Sequence, residues 1–223
     1  MRDVGKPSWR FVWDVPELLH RALYVRDVLG LLNSEHPGAA TASLPPRVVG
    51  EIPDQRDLLL GADQGTVEQA WLRWWMALLN GEVAAGPADQ SPHEWQTELA
   101  ERYRQGVNPL DVDASAGSSV LVRAAGVLQN DVNRWVSEAK RSIVMPGGTR
   151  PFEWRVVAAA VAYVADERGV PLSAVRGYVG ILAVQGIWWR HLAPGKALCS
   201  VQASRDEEIA EVLLRESLAP SSG

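Results

Sequence analysis

Few side chains in this sequence combine the types and the spacing that catalysis or metal binding needs. A zinc protease helix carries two histidines four positions apart, with a glutamate next to the first. The pair His93-Glu94 fails this pattern, because Thr97 occupies the position of the second histidine. Asp111 and Asp113 lie two apart, but a calcium loop needs a longer series of oxygen ligands and a closing glutamate. We therefore predict no metal site and assign no cofactor.

Cys199 is the single cysteine of the chain, and it would act as a nucleophile only with a base beside it. His191 is the nearest candidate, across a hairpin that turns at Pro194-Gly195. A lone cysteine beside apolar neighbours is more often a buried small side chain. The sequence also lacks a phosphate-binding glycine loop and a serine nucleophile elbow. We predict no catalytic residues, while an enzyme with a site assembled from distant residues stays open.

The stretch from Arg155 to Arg215 has the clearest order of elements. An apolar helix runs to a turn at Gly169, and a second segment, a hairpin and a capped helix follow. Ala165, Gly169 and Val175 have the spacing of the small residue, the turn glycine and the aliphatic residue of helix-turn-helix units. This order resembles a winged helix-turn-helix. The resemblance implies that residues 173–186 form a second helix, which Ser173 caps.

An alternative for the same residues is a strand. Val175, Val179, Ile181 and Val184 are β-branched, and nearby glycines weaken a helix by about 1 kcal/mol each relative to alanine. Under this alternative the segment belongs to a small antiparallel sheet backed by helices.

Capping residues and apolar spacing predict helices from Asp14 to about Leu32, from Thr66 to Gly81, over residues 91–105, and from about Ser118 to Ile143. Residues 1–13 are expected to be a short arm or strand, and a short strand is expected within 48–52. We predict a mainly α fold in two domains: a helical domain at 1–149 with a long Pro/Gly-rich loop at 33–65, and a winged-helix-like domain with a small β-hairpin at 150–223. The boundary is placed at 145–149, so the second domain is expected to fold alone.

The composition is that of an ordinary soluble protein, with a net charge of −5 and 47% hydrophobic residues. Ten tryptophans against two phenylalanines make it unusually tryptophan-rich. The single cysteine and the lack of an apolar leader or a membrane-spanning run predict a cytoplasmic location and no membrane partner. Residues 150–203 hold 6 basic and 3 acidic residues, so the predicted winged helix is mildly basic within an acidic chain.

These observations favour a non-enzymatic protein that binds another macromolecule. The first hypothesis is an adaptor or regulatory subunit that binds a protein partner or a second copy of itself. The alternative is a DNA-binding transcriptional regulator, with weak binding because the basic residues are few. The predicted protein interface consists of Ile181, Val184, Trp188 and Trp189. The predicted DNA contacts are Ser173, Arg176, Arg190 and Lys196.

Overall fold

The computed structural model describes residues 9–32, 44–84, 118–144 and 150–220. These residues form a five-stranded mixed sheet with helices on both faces. The strands are β1 (Arg10–Asp14), β2 (Val175–Leu182), β3 (Trp189–Ala193), β4 (Lys196–Ser200) and β5 (Ala219–Pro220). The α-helices are α1 (Glu17–Val28), α2 (Gln64–Ala84), α3 (Ser119–Val127), α4 (Gln129–Val144), α5 (Trp154–Arg168), α6 (Val201–Arg205) and α7 (Glu207–Ser217). Short 3-10 helices lie at Arg56–Leu59 and Leu172–Ala174.

The strands lie across the sheet in the order β1, β2, β4, β3. β1 and β4 both run parallel to β2, whereas β3 runs antiparallel to β4. β5 pairs antiparallel with the first residues of β2, Val175 and Arg176. Strands of a parallel sheet are covered on both faces and are therefore nearly continuous apolar runs. β2 has this property, since every residue from Tyr178 to Leu182 is buried.

Alternate residues of the central strands enter two separate apolar cores, because successive side chains of a strand point to opposite faces. Leu182 and Leu198 belong to the first core, together with α1, α2, α3 and the first half of α4. Val179, Ile181 and Cys199 belong to the second core, together with α5, α7 and the end of α4. The sheet is therefore the middle of three layers.

The prediction of a mainly α fold is wrong, because a mixed sheet forms the centre of the described chain. The residues expected to form the second helix of a helix-turn-helix are strand β2, so the winged-helix arrangement does not form. The β-branched residues Val175, Val179 and Ile181 suit a strand that is packed on both faces. Two local predictions in this stretch are confirmed. Gly169 ends α5 in the left-handed conformation, with φ 62°, and the hairpin at Pro194-Gly195 is formed by β3 and β4.

Most other predicted elements that fall on described residues also form. β1 is the strand expected near the N-terminus, and α1 and α2 correspond to the helices expected from Asp14 and Thr66. The single helix expected from Ser118 to Ile143 is instead two helices, α3 and α4, which meet at Leu128. The predicted helix at 91–105, with His93 and Glu94, and the loop with Asp111 and Asp113 lie outside the described residues.

The domain boundary predicted at 145–149 also lies outside the described residues, but the segments on its two sides share one sheet. β1, from the predicted first domain, pairs along its whole length with β2, from the second. The first core includes Leu182 and Leu198, and the second core includes Val15 and Ile143. The two segments therefore build the sheet and both cores jointly.

Candidate binding cleft at the carboxyl edge of the sheet

The parallel strands β1, β2 and β4 end at the same edge of the sheet. In open α/β folds, ligands bind in crevices outside this carboxyl edge. Here β1 leads into α1, β4 leads directly into α6, and β2 leads into an irregular stretch, residues 183–188. The side chains and loops that follow these three strands are therefore the first place to look for a binding site.

A segment of residues 45–49, which we call the strap, lies beside the end of β2. The N–H of Val49 donates to the carbonyl of Ala183 at 2.9 Å, and the N–H of Gln185 donates to the carbonyl of Arg47 at 2.8 Å. Val48 and Val184 form the antiparallel bridge between these two bonds. The strap therefore continues the hydrogen bonding of the sheet beyond β2, but the short strand expected within 48–52 is reduced to the single bridge at Val48.

Side chains of α1 and α4 fix the strap on its other sides. The buried guanidinium of Arg26 donates to the carbonyls of Pro45 and Pro46, at 2.7 and 2.8 Å. Its Nε lies 2.6 Å from Oδ1 of Asp27, whose Oδ2 accepts from the N–H of Val48 at 2.7 Å. Both partners of this ion pair are almost fully buried, so each charge depends on the other and on the strap.

His20 connects the start of α1 to the end of β2. Its Nδ1 lies 2.9 Å from the carbonyl oxygen of Pro16, which can only accept, so Nδ1 carries the proton. Its Nε2 must then be the acceptor of the Ala183 N–H, at 3.0 Å. Burial lowers the pKa of His20 to about 4, and the positive charge of Lys140 acts in the same direction. The ring is therefore neutral at pH 7, with both nitrogens hydrogen bonded.

A cleft of about 470 Å³ opens between the strap and the junction of α6 and α7. Capping bonds hold that junction: Oγ of Ser200 accepts from the N–H of Ala203, and Oδ1 of Asp206 accepts from the N–H of Ile209. Arg205 is tied to α4 through the carbonyl of Ser142, at 3.0 Å. The lining combines valines, two glutamine amides, a glycine and two residues of opposite charge: Val49, Val184, Gln185, Gly186, Val201, Gln202, Arg205 and Asp206.

A smaller pocket of about 160 Å³ adjoins the cleft, and Gln185 lines both. Asp27 and Arg47 contribute charged side chains to its wall, together with Asp54 and Arg56. Asp27 is already engaged by Arg26 and by the strap. The pocket is therefore part of the polar scaffold that holds the strap in place.

Among the described residues that line the cleft, no nucleophile has a base beside it. Cys199 is fully buried, and burial raises the pKa of its thiol. His191 is exposed and pairs with Ala197 rather than with Cys199. The described residues also contain no group of three or more histidine, cysteine, aspartate or glutamate side chains that could hold a metal ion. What the cleft offers is apolar contact, amide hydrogen bonding and one guanidinium group.

The residues predicted to form a protein interface do not lie together at the surface. Ile181 is 0% exposed and Val184 is 2% exposed, so both are core residues. Trp188 packs against the first core and Trp189 against the second. The two rings point to opposite faces, as expected of neighbours in an extended chain, but helices cover both faces. Trp188 and Trp189 therefore face opposite sides of the sheet, but each is partly buried.

The residues assigned to DNA binding are also dispersed. Ser173 is exposed, and its carbonyl accepts from Arg176 at 2.6 Å. Lys196, expected at the tip of a wing, is 8% exposed and donates to the carbonyl of Val83 at the end of α2. Arg190 lies on β3, and the helix expected to read the DNA groove is β2. The structure brings Ser173 and Arg176 together, but it buries Lys196.

Lys196 belongs instead to a second polar cluster, between α2 and the sheet. The hydroxyl of Tyr178 donates to Oε2 of Glu82 at 3.3 Å, close to the bonds that Lys196 makes with the same end of α2. Burial raises the pKa of Tyr178, and the charges of Glu82 and Asp14 raise it further. Burial also lowers the pKa of Lys196. Because Tyr178 and Lys196 are buried, the cluster ties the helix end to the sheet.

Of the residues that line the cleft, sequence reasoning assigned only Val184 to a binding surface. His20 and Arg26 lie within an apolar helix, and their partners are backbone groups distant in sequence. Gln202 and Arg205 lie where a hairpin strand and the cap of the last helix were expected, and neither position indicated a binding role. The β-type run at Val48-Val49 was the one local signal for the strap. The carboxyl edge was not expected, because the orientation of the strands was not predicted.

Comparison of the chain with protein-family models, with characterised proteins and with solved structures gives no significant match. None of the described helices has both the length and the apolarity needed to cross a membrane.

Proposed function

We propose that this chain is a non-enzymatic binding protein that takes a segment of a partner protein into the cleft at the carboxyl edge. The observation that supports this is the lining itself, where valines lie beside glutamine amides and no catalytic pair is present. Open clefts of this kind suit an extended chain, whose side chains contact the apolar wall while its backbone groups meet polar side chains.

The rim of the cleft adds exposed aliphatic surface. Val49, which lines the cleft, is 39% exposed. Ile187, which follows the lining residue Gly186, is 46% exposed. Burial of such side chains contributes about 25 cal/mol per Å² of apolar area, which favours a partner that covers both. The amides of Gln185 and Gln202 can each donate and accept, as a peptide backbone requires.

Charge supports a protein partner over duplex DNA. The net charge of the chain is −5, and among the described residues Arg205 is the only cationic side chain that lines the cleft. Nucleic-acid sites depend on several lysine or arginine contacts to phosphates. An adaptor that recognises a protein segment is therefore the function that the cleft supports best.

A random linear peptide library displayed on phage tests this proposal. Panning on the full chain should enrich sequences whose synthetic peptides bind with Kd values of about 1–100 μM, the range of weak, shallow peptide sites. The double variant Val49→Glu/Ile187→Glu should weaken that binding at least tenfold, because it places charges on both rim positions.

The matched control is the double variant Met76→Glu/Val212→Glu. Met76 and Val212 are each 45% exposed, which is close to the rim residues, but neither lines the cleft. Peptides should bind this control as they bind the unmodified chain. Absence of enrichment, or equal affinity for both double variants, would show that the cleft is not a peptide site.

A further inference from the structure

Three hydrogen bonds and one ring contact form a closed circuit around the strap. The N–H of Ala183 donates to His20, and the carbonyl of Ala183 accepts from Val49. The carbonyl of Val49 accepts from Nε1 of Trp135 at 3.2 Å. The ring of Trp135 returns to His20, with the two ring centroids 5.8 Å apart. Ala183 thus uses its donor on His20 and its acceptor on the strap.

The circuit accepts only one protonation state of His20. Nδ1 is committed as a donor to the carbonyl of Pro16, so Nε2 has to accept from Ala183. A doubly protonated imidazole has no acceptor. Its Nε2–H would face the N–H of Ala183, donor against donor, in a fully buried position. The closed strap therefore strongly disfavours protonation of His20.

We propose that His20 is a proton-operated latch, whose protonation at Nε2 releases Ala183 and opens the strap and the wall of the cleft. The effect on partner binding rests on the proposed function, whereas the opening of the strap does not. Val49 links the strap to the cleft, because its N–H donates to the carbonyl of Ala183 and its side chain lines the cleft.

The charged groups that act on His20 do not remove this effect. The positive charge of Lys140, on α4, disfavours protonation of His20, whereas the negative charge of Glu17, at the start of α1, favours it. These two side chains pair with each other at 2.5 Å, so their contributions oppose one another. On the strap and β2 sides, the groups of the circuit are the backbone of Val49 and Ala183, which does not titrate.

The sign and size of the effect follow from linkage. The closed state holds the pKa of His20 at about 4, whereas an exposed histidine has a pKa of 6.5. Closure is therefore fully favoured above pH 6.5 and is progressively lost as the pH falls towards 4. Between pH 7 and pH 4 the equilibrium for opening should rise about 100-fold, towards a limit of about 300-fold well below pH 4.

Hydrogen exchange of single amides, measured by NMR from pH 7 to pH 4 and corrected for intrinsic exchange, tests the latch. The opening equilibria at Val49 and Ala183 should rise about five- to sevenfold per pH unit between pH 6.5 and pH 4.5. The amide of Leu213, in α7 and fully buried in the second core, should not follow them. Equal changes at all three amides would indicate general acid unfolding and would overturn the proposal.

Two variants separate His20 from the other groups that titrate in this range. His20→Gln keeps an acceptor for Ala183 but does not titrate, so it should abolish the pH dependence at Val49. His191→Gln changes an exposed histidine and should leave that dependence intact. A rise that persists in His20→Gln would show that it does not come from His20, and it would overturn the proposal.

If His20→Gln does not fold, the nitrogen-15 shifts of His20 in the unmodified chain give the same decision. The latch requires Nε2 to be unprotonated at pH 7 and to take its proton as the Val49 amide is released. A His20 ring that is protonated while Val49 stays protected would overturn the latch.

Peptide affinity adds a separate result: it should decrease as the pH is lowered in the unmodified chain but not in His20→Gln. If the strap opens at low pH but no peptide binds at any pH, the proposed function is wrong and the latch is still supported.

Discussion

Arg26 shows how a single buried charge can organise a segment without regular secondary structure. Its guanidinium has three acceptors within 2.8 Å, namely the carbonyls of Pro45 and Pro46 and the carboxylate of Asp27. Proline lacks the N–H that a regular ladder needs, so the segment at Pro45-Pro46 is not paired as a strand and its carbonyls need donors from elsewhere. Arg26 supplies those donors from a helix instead, and the strap is held in place as a result.

Replacement of Arg26 by methionine should therefore destabilise the fold strongly. The side chains of Arg26 and Asp27 are 5% and 6% exposed, so the change leaves a buried carboxylate and two buried carbonyls without their partner. We expect a loss of about 3–5 kcal/mol in the free energy of unfolding, measured by urea denaturation.

Arg134→Met provides the control for this prediction. Arg134 pairs with Asp131 at 2.7 Å, but these side chains are 70% and 41% exposed. Exposed pairs contribute about 0–1 kcal/mol, so this variant should lie close to the unmodified chain. Similar losses for the two arginines would contradict the view that the Arg26 contacts hold the strap.

At the scale of elements, the strand β2 decides the fold, and it was the element that the sequence described least well. The sequence offered both a helix and a strand for residues 175–185, because β-branched residues and glycines alternate there. Periodicity indicates which residues share a face, but it does not show that both faces are covered. The parallel neighbours β1 and β4, one of them from the far N-terminus, settle the matter through long-range pairing.

Elements with strong local signals were predicted more accurately. The hairpin of β3 and β4 has a proline-glycine turn, and α5 ends at a glycine that adopts a positive φ. The cleft had no such signal, since its residues come from the strap, β2, α6 and α7 and meet only in the folded chain. Its position at the carboxyl edge follows from strand orientation, which no local pattern encodes.

The glycines of β2 provide a test of close packing at this scale. A Cβ atom added to Gly180 would lie 2.6 Å from Cδ2 of Leu198 and 3.3 Å from Cγ of Pro16. Leu198 is fully buried in the first core, so its side chain has little room to move. Gly180→Ala should cost about 1–3 kcal/mol of stability through overpacking, as measured by urea denaturation.

Gly126 is the matched control for Gly180. It lies within α3, and an added Cβ would meet nothing within 4 Å. Gly126→Ala should stabilise the chain by about 0.5–1 kcal/mol, because alanine has the higher helix propensity. If Gly180→Ala is as stable as Gly126→Ala, the packing of Leu198 over β2 is looser than these distances indicate.

On the scale of the whole molecule, one sheet joins the two ends of the chain. The sequence placed a boundary near 145–149 because of its proline and glycines, and such breaks often separate domains. The described structure shows instead that residues on both sides build the sheet and both cores. A segment rich in proline and glycine indicates where helices are interrupted, but it does not indicate whether the segments on its two sides fold together.

The fragment 150–223 should therefore fail to fold cooperatively by itself. Without β1, the central strand β2 has no neighbour on one side, and Leu182 and Leu198 lose the helices that cover them. The second core would also lack Val15 and Ile143.

We expect no sigmoidal thermal transition in the near-ultraviolet circular dichroism of the fragment 150–223, and we expect it to bind a hydrophobic dye strongly. Addition of the segment 1–149 in trans should restore the transition, because it supplies the missing strand and both missing core surfaces. A sharp transition of the isolated fragment, unchanged by that addition, would show that 150–223 is an autonomous domain after all.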